Sequence, residues 1–281
     1  MTQPTDHDDT AAAKPAFSIA SYGDADATQD REPLFAYLDG FAQDFAPMID
    51  RALDLLRLQP HSVVLDVGCG HGATMPKLAE RIGGGGRVVG VDSSRTMIAE
   101  AQRRFDPASW PIEFHCADAA SLPFDDSVFD AVRCDRVLMF VGDPMRALAE
   151  MRRVTRTGGR VVVTEGDLGT HAIDASDAAA TRAVLEAVAA RMPNSWSGRR
   201  LRPLFAASGL RDIDVYLFPY FSTRYDEWNS RLALDTAAAD AVGGKRLDAA
   251  QAQRWLRELK ERDAGGRFFA CGTFVTVAGS R

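Results

Sequence analysis

Cysteine is scarce in this 281-residue sequence: Cys69, Cys116, Cys134 and Cys271, none of them in a C-x-x-C pair. That spacing offers neither a disulfide framework nor a zinc site, and no metal is expected. All four fall in segments that read as strands or strand ends, so they are taken as reduced thiols filling small packing positions. Basic charge is also in short supply, with 33 Lys and Arg against 39 Asp and Glu, a net charge of −6. Without a clustered basic footprint, nucleic acid is a poor partner. No apolar run approaches the roughly 18 residues that a membrane span needs, so no membrane association is expected. Asp6, Asp8 and Asp9 stand around His7, where a signal peptide would have a basic start and an apolar stretch. Cytoplasmic residence is the default expectation. The remaining composition, 46% hydrophobic and 26% charged, is that of a globular chain. Its length suits one large α/β domain with insertions.

Residues 1–16 are polar and aperiodic and read as a disordered tail. Residues 17–58 hold two helical patterns, one with Leu34, Phe35, Leu38 and Phe41 on a face, the other with Met48, Ile49, Leu53, Leu55 and Leu56. The texture changes at about 59. Val63-Val64-Leu65, Arg87–Asp92, Ile112–Cys116, Phe129–Cys134 and Arg160–Thr164 are short apolar runs of the kind buried on both faces of a parallel sheet. Helical patterns alternate with them. One ends near Ile82, before Gly83–Gly86; one carries Met97, Ile98, Ala101 and Phe105; one starts with Asp143-Pro144 and is closed by Gly158-Gly159. Five strands alternating with helices predict right-handed crossovers and a doubly wound sheet. After strand five, residues 174–192 and 198–208 read as helices, and a strand follows in which Ile213, Val215 and Leu217 alternate. Two helices fill 225–263, the second opened by Asp248 three residues before Gln251, and Arg267–Val277 is a final strand.

The strongest chemical signal is Asp66-x-Gly68-x-Gly70-x-Gly72 at the end of strand one. Glycines there let the backbone turn tightly and approach a ligand, and the following helix aims its free N–H groups at it. Asp92 ends strand two, where a carboxylate accepts hydrogen bonds from a ribose diol. These facts alone fit NAD as well, because Gly68, Gly70 and Ala73 satisfy a dinucleotide fingerprint. Asp66 tilts the choice, since a negative charge beside the turn suits an ammonium group better than a pyrophosphate. So does Asp118, which follows strand three and can accept adenine amino hydrogens.

Taken together, these motifs resemble those of class I S-adenosylmethionine-dependent methyltransferases, in the small-molecule branch similar to ubiquinone and menaquinone C-methyltransferases. The resemblance covers residues 60–165. Besides the glycine motif, Asp92 and Asp118, it rests on Leu122-Pro123-Phe124, Phe129-Asp130-Ala131-Val132 and Arg153-Val154 before Gly158-Gly159. It implies a Rossmann-like doubly wound sheet, mostly parallel with an antiparallel last strand, and S-adenosylmethionine as cofactor. It places Gly68, Cys69, Gly70 and Gly72 around the methionine part and Asp66 at its amino group. Asp92, with Ser93 and Met97 beside it, falls to the ribose, Asp118 and Ala119 to the adenine, and the backbone at Cys134 to the sulfonium. Many relatives carry histidines after strand four, where this chain has Met139 and Phe140. That excludes a histidine base at that point, in a reaction that leans on alignment and desolvation.

The acceptor side is less legible, and no catalytic residue is assigned. Tyr22, Asp135, Met139, Asp167, His171 and Tyr220 are candidates for a substrate pocket. The alternatives are a surface-loop role for His171, loop capping for Asp167 and cap packing for Tyr220 with Phe221, Tyr225 and Trp228. His71 either lines the site or points to solvent. No titratable candidate has an evident orienting partner in the sequence. The helices of 17–58, of about 170–198 and of 225–263 are expected to form a cap over the sheet's carboxyl edge. The expected function is methyl transfer to a small-molecule acceptor, in quinone-like or specialised metabolism. Two rivals stay open. One is a non-catalytic S-adenosylmethionine-binding protein. The other is an NAD-dependent oxidoreductase, which lacks a Tyr-x-x-x-Lys pair here.

Overall fold

A computed structural model describes residues 25–27 and 31–281; the tail at 1–16 and Tyr22 lie outside them. The five expected strands form: β1 (Val63–Val67), β2 (Arg87–Asp92), β3 (Ile112–Cys116), β4 (Phe129–Asp135) and β5 (Thr155–Gly166). All pair in parallel, in the order β3-β2-β1-β4-β5. Two longer strands, β7 (Arg211–Ser222) and β8 (Ala270–Ser280), complete the sheet. β8 runs antiparallel between β5 and β7. A two-residue strand, β6 (Ala172–Ile173), pairs with Cys271 and Ala270, continuing the β5 edge of β8.

Alternation along the strands divides the core into two layers. Val64, Val88, Ala131 and Val162 face α1 (Glu32–Asp44), α2 (Ala46–Leu55) and α3 (Met75–Ile82). Leu65, Val89, Val132, Val161 and Val163 face α5 (Pro144–Val154) and α7 (Ser197–Ala207). Between β2 and β3 lies α4 (Arg95–Arg104), capped by Ser94, whose Oγ accepts the Met97 N–H at 3.1 Å. A third core belongs to the cap. It joins α6 (Ala178–Ala189), α8 (Tyr225–Leu232), α9 (Leu234–Gly243) and α10 (Ala249–Ala264) around buried Trp228, Trp255, Leu259 and Phe268.

Several expectations need correction. α5 ends at Val154, not at Gly158-Gly159; those glycines lie in β5, where their backbone pairs with Arg281 at 3.0 Å. The segment 225–263 holds three helices, because Ala233, in the left-handed region at φ 50°, breaks it between α8 and α9. Val215 and Leu217 face solvent, while Tyr216, Phe218 and Tyr220 pack on the sheet's first layer. α2 belongs to that layer too and not to the cap. The Gln251 amide group reaches Asp177 Oδ2 at 2.7 Å, so only the Asp248 half of a capping box forms. Cys116 is exposed, unlike buried Cys69 and Cys134.

Candidate active site

A cavity of about 610 Å³ opens at the carboxyl ends of β1, β2 and β4, within the range of about 300–1,000 Å³ typical of small-ligand sites. The glycine turn forms its floor. Gly68 (φ 74°) and Gly70 (φ 55°) adopt conformations that β-carbons disfavour. A β-carbon on Gly68 would overlap Val137 Cγ2, whereas beside Gly70 the nearest atom is Leu38 Cδ1 at 3.9 Å. Gly70 therefore leaves room for a ligand. Gly72 (φ 87°) lies outside the cavity wall, where its space is taken by Phe105.

Asp92 closes β2 and ties the turn together. Its Oδ2 accepts the Gly70 N–H and its Oδ1 the Ser94 N–H, both at 2.9 Å. Burial raises its carboxyl above the usual range against those two hydrogen bonds. Each oxygen still has an acceptor position left. Ser93 and Met97 line the cavity beside it, and Asp118 and Ala119 lie along the same wall. Ala25 and Asp26 border this end as well. Asp26 takes hydrogen bonds from Ser94 Oγ at 2.6 Å and the Thr96 N–H at 2.9 Å, which hold its carboxyl far below its ordinary value.

Asp66 has a partner the sequence reading did not give it. The register of β1 and β4 sets Asp66 directly beside Arg133, whose Nη1 lies 2.9 Å from both carboxylate oxygens. The second nitrogen of Arg133, Nη2, reaches Asp135 Oδ2 at 2.7 Å. Burial pushes the Asp66 carboxyl up, and the guanidinium pulls it back. Arg133 is thus a buried cation shared by two carboxylates, the arrangement that makes buried charge tolerable. Cys134 itself is turned away from the cavity, which is lined instead by its neighbours Arg133 and Asp135.

The far end is apolar and aromatic, with Tyr37, Phe41, Met139, Phe140, Tyr220 and Phe274 in its wall. His171 and Tyr220 meet here, Nε2 to Oη at 2.6 Å, so one expected titratable group does have an orienting partner. Burial lowers the His171 pKa to about 4 and pushes the Tyr220 hydroxyl well above its ordinary value, so both are neutral at pH 7. His171 Nδ1 is buried without a hydrogen-bond partner among the described residues. Tyr225 and Trp228 belong to the cap core, and Phe221 is exposed.

Asp167 does not line the cavity. Its carboxylate is held by Arg199 at 2.6 and 2.7 Å and by the Gly169 and Arg199 N–H groups, a capping role. His71, by contrast, is buried, stacks on Phe35 and reaches Asp39 Oδ1 at 3.0 Å. Sequence reasoning also missed Glu165. From the end of β5 its Oε1 accepts the Val137 and Leu138 N–H groups at 2.9 and 2.6 Å, and Oε2 accepts Ser197 Oγ at 3.0 Å. It pins the loop that walls the cavity. No cluster of three potential metal-ligating side chains and no membrane-length apolar helix occurs among the described residues.

A family profile described as a methyltransferase domain matches residues 65–163, the segment that builds this cavity floor. The chain belongs to the class I S-adenosylmethionine-dependent methyltransferases. The chain is similar to an uncharacterized 37.1 kDa protein in a Streptomyces fradiae transposon, 36% identical over 86% of this chain and 70% of the other. It is also 36% identical to demethylmenaquinone methyltransferase of Bacillus cereus, over 40% of this chain and 47% of that enzyme, about half of its length. In fold it resembles the YcgJ protein of Bacillus subtilis, with a TM-score of 0.55, 19% identity and coverage of 83% and 98% of the two chains. The members of this family use S-adenosylmethionine.

Proposed function

We propose that this methyltransferase moves the methyl group of S-adenosylmethionine to a small, partly apolar acceptor held in the aromatic end of the same cavity. The observation that carries the reading is Asp92. Its two oxygens fix Gly70 and Ser94 and keep acceptor capacity for two hydroxyls, the pattern a ribose diol requires. In this reading Asp118 and the Ala119 backbone hold the adenine, and Gly68, Cys69 and Gly70 surround the methionine part. Asp66 retains lone pairs for its ammonium group beyond those used by Arg133. Bound S-adenosylmethionine supplies a methyl already activated on a sulfonium. The protein's task is then to align the acceptor and exclude water, which α1 and the cap do by walling the cavity. The partly apolar wall of Tyr37, Phe41, Tyr220 and Phe274 supports an acceptor with a ring or chain. The demethylmenaquinone methyltransferase relative makes a quinone-like or specialised-metabolite acceptor the first to try. Calorimetry tests the cofactor half: S-adenosylhomocysteine should bind and NAD should not, and the reverse result would sink the proposal. Labelled S-adenosylmethionine with a metabolite extract tests transfer.

A further inference from the structure

The two ends of the cavity differ in charge. Asp26, Asp92 and Asp118 line the end assigned to the cofactor, whereas two guanidinium groups, Arg136 and Arg231, line the aromatic end. Arg133, between them, is paired with Asp66 and Asp135, and Asp135 is shared with Arg136, so two carboxylates face two guanidinium groups. Arg136 has the weaker hold on them. Its nearest carboxylate, Asp135, has its better hydrogen bond with Arg133 and lies 3.5 Å from Arg136 Nε, beyond a good hydrogen bond. That Nε is buried and makes no hydrogen bond among the described residues. The guanidinium carbon lies over Phe41, 3.4 Å from the ring centroid. The four N–H groups on the Nη atoms are left for other partners. The backbone is held for this placement: Arg136 has φ 57°, a region that costs a non-glycine residue energy, and its N–H donates to the Thr164 carbonyl at 2.7 Å. Arg231 packs over Phe45, and its Nη2 reaches Asp44 Oδ2 at 3.0 Å. Asp44 is largely exposed, so water weakens that pairing.

Resting on the methyltransferase reading above, we propose that the acceptor carries an oxyanion, a carboxylate or its equivalent, on a flat apolar body. Arg136 binds the oxyanion with Arg231 in support, and the body lies against Phe41, Tyr220 and Phe274. A guanidinium fork matches such an anion in geometry as well as charge. A neutral acceptor would give the Nη donors of Arg136 no anionic partner.

The test uses the full chain saturated with S-adenosylhomocysteine and two fluorescent probes that share an anilinonaphthalene body. One, 8-anilinonaphthalene-1-sulfonate, bears an oxyanion; the other, N-phenyl-1-naphthylamine, does not. The sulfonate should bind, and Arg136→Met should weaken it by roughly tenfold or more, a change of about 1.4 kcal/mol or more. Arg231→Met should weaken it by a smaller factor, and the neutral probe should change less than about twofold. Unchanged S-adenosylhomocysteine affinity certifies the fold of each variant. Should Arg136→Met fail to fold, competition on the unaltered protein decides: 1-naphthoate should displace the sulfonate and 1-naphthamide should not. Equal displacement by both, or a sulfonate affinity indifferent to Arg136, overturns the proposal and leaves the methyltransferase reading standing. Failure of S-adenosylhomocysteine to bind the unaltered protein overturns both.

Discussion

Asp92 carries two loads at once, and that decides how it should be tested. Its oxygens hold the Gly70 and Ser94 amides, so alanine would both remove the proposed ribose acceptor and release the glycine turn. Asparagine keeps one acceptor oxygen and loses the charge. Asp92→Asn should weaken S-adenosylhomocysteine binding by on the order of 1–3 kcal/mol, and Asp92→Ala by about 2–4 kcal/mol. Calorimetry that finds full affinity in a folded Asp92→Ala protein would remove the ribose assignment. His171 makes a second residue-scale case. With its pKa lowered to about 4 by burial, its ring should show no titration between pH 5.5 and 8, which proton NMR of the imidazole reads directly. A transition near 6.5 would contradict the buried pairing with Tyr220. In the proposed reading the neutral pair orients the acceptor without being a strong base, so His171→Ala should cost less than about a hundredfold in turnover. A loss beyond roughly ten-thousandfold with cofactor affinity intact would identify a dedicated base.

At the scale of elements, the end of β5 controls the loop after β4 through Glu165. Burial pushes its carboxyl from 4.5 up to about 7, against hydrogen bonds from Leu138, Ser197 and Val137. Between those values the folded chain holds a proton that the unfolded chain gives up. The full contribution is therefore present below about pH 4.5 and is lost as pH rises through 7, up to about 3 kcal/mol. His171 has the opposite sign, since the unfolded state takes up its proton as pH falls from 6.5 to 4. Glutamine at 165 would keep Oε1 for the two backbone N–H groups and could donate to Ser197 Oγ. In Glu165→Gln the loss toward alkaline pH should vanish, so that urea melts at pH 5 and pH 8 show the variant gaining on the parent. Parallel profiles would show that Glu165 is ionised throughout. Nothing in the sequence marked this residue, because its role depends on β5 and the β4 loop meeting in space. Arg133 was closer to legible: a charge inside the apolar run Phe129–Cys134 requires a buried partner, and pairing β4 with β1 sets Asp66 opposite it. The strands of the cofactor half were readable because each is a short doubly buried run beside a punctuating turn. The acceptor half was not. Val215 and Leu217 suggest an inward face that an edge strand instead turns to solvent, and a single left-handed residue, Ala233, divides a helical pattern in two.

For the molecule as a whole, the site is closed by parts drawn from distant stretches of chain. α1 supplies Tyr37, Leu38 and Phe41, the β4 loop Met139 and Phe140, α8 Arg231 and Leu232, and β8 Phe274. The N-terminal segment joins this wall through Ala25 and Asp26. Asp26 is tied to the start of α4 by Ser94 Oγ and by the Arg95 and Thr96 N–H groups. Asp92 receives its Ser94 hydrogen bond from the same corner. Ala25, Leu34, Phe35 and Met97 share a small core of their own, so the segment is packed onto the Asp92 end of the cavity and α1 follows it to the aromatic end. Removing residues 1–30 deletes Asp26 and Ala25, bares the start of α4 and opens one side of the cavity to water. Removing residues 1–14 leaves all of those contacts in place. The longer truncation should therefore lose turnover by about tenfold or more relative to the shorter one. Its S-adenosylhomocysteine affinity should fall as well, because Ser94 loses a partner. Both truncations should keep the sheet and its two layers, since neither cuts into α1. Steady-state rates with the true acceptor, beside calorimetry for each truncation, make the comparison. Equal turnover and equal affinity would show that the cavity is closed without the N-terminal segment.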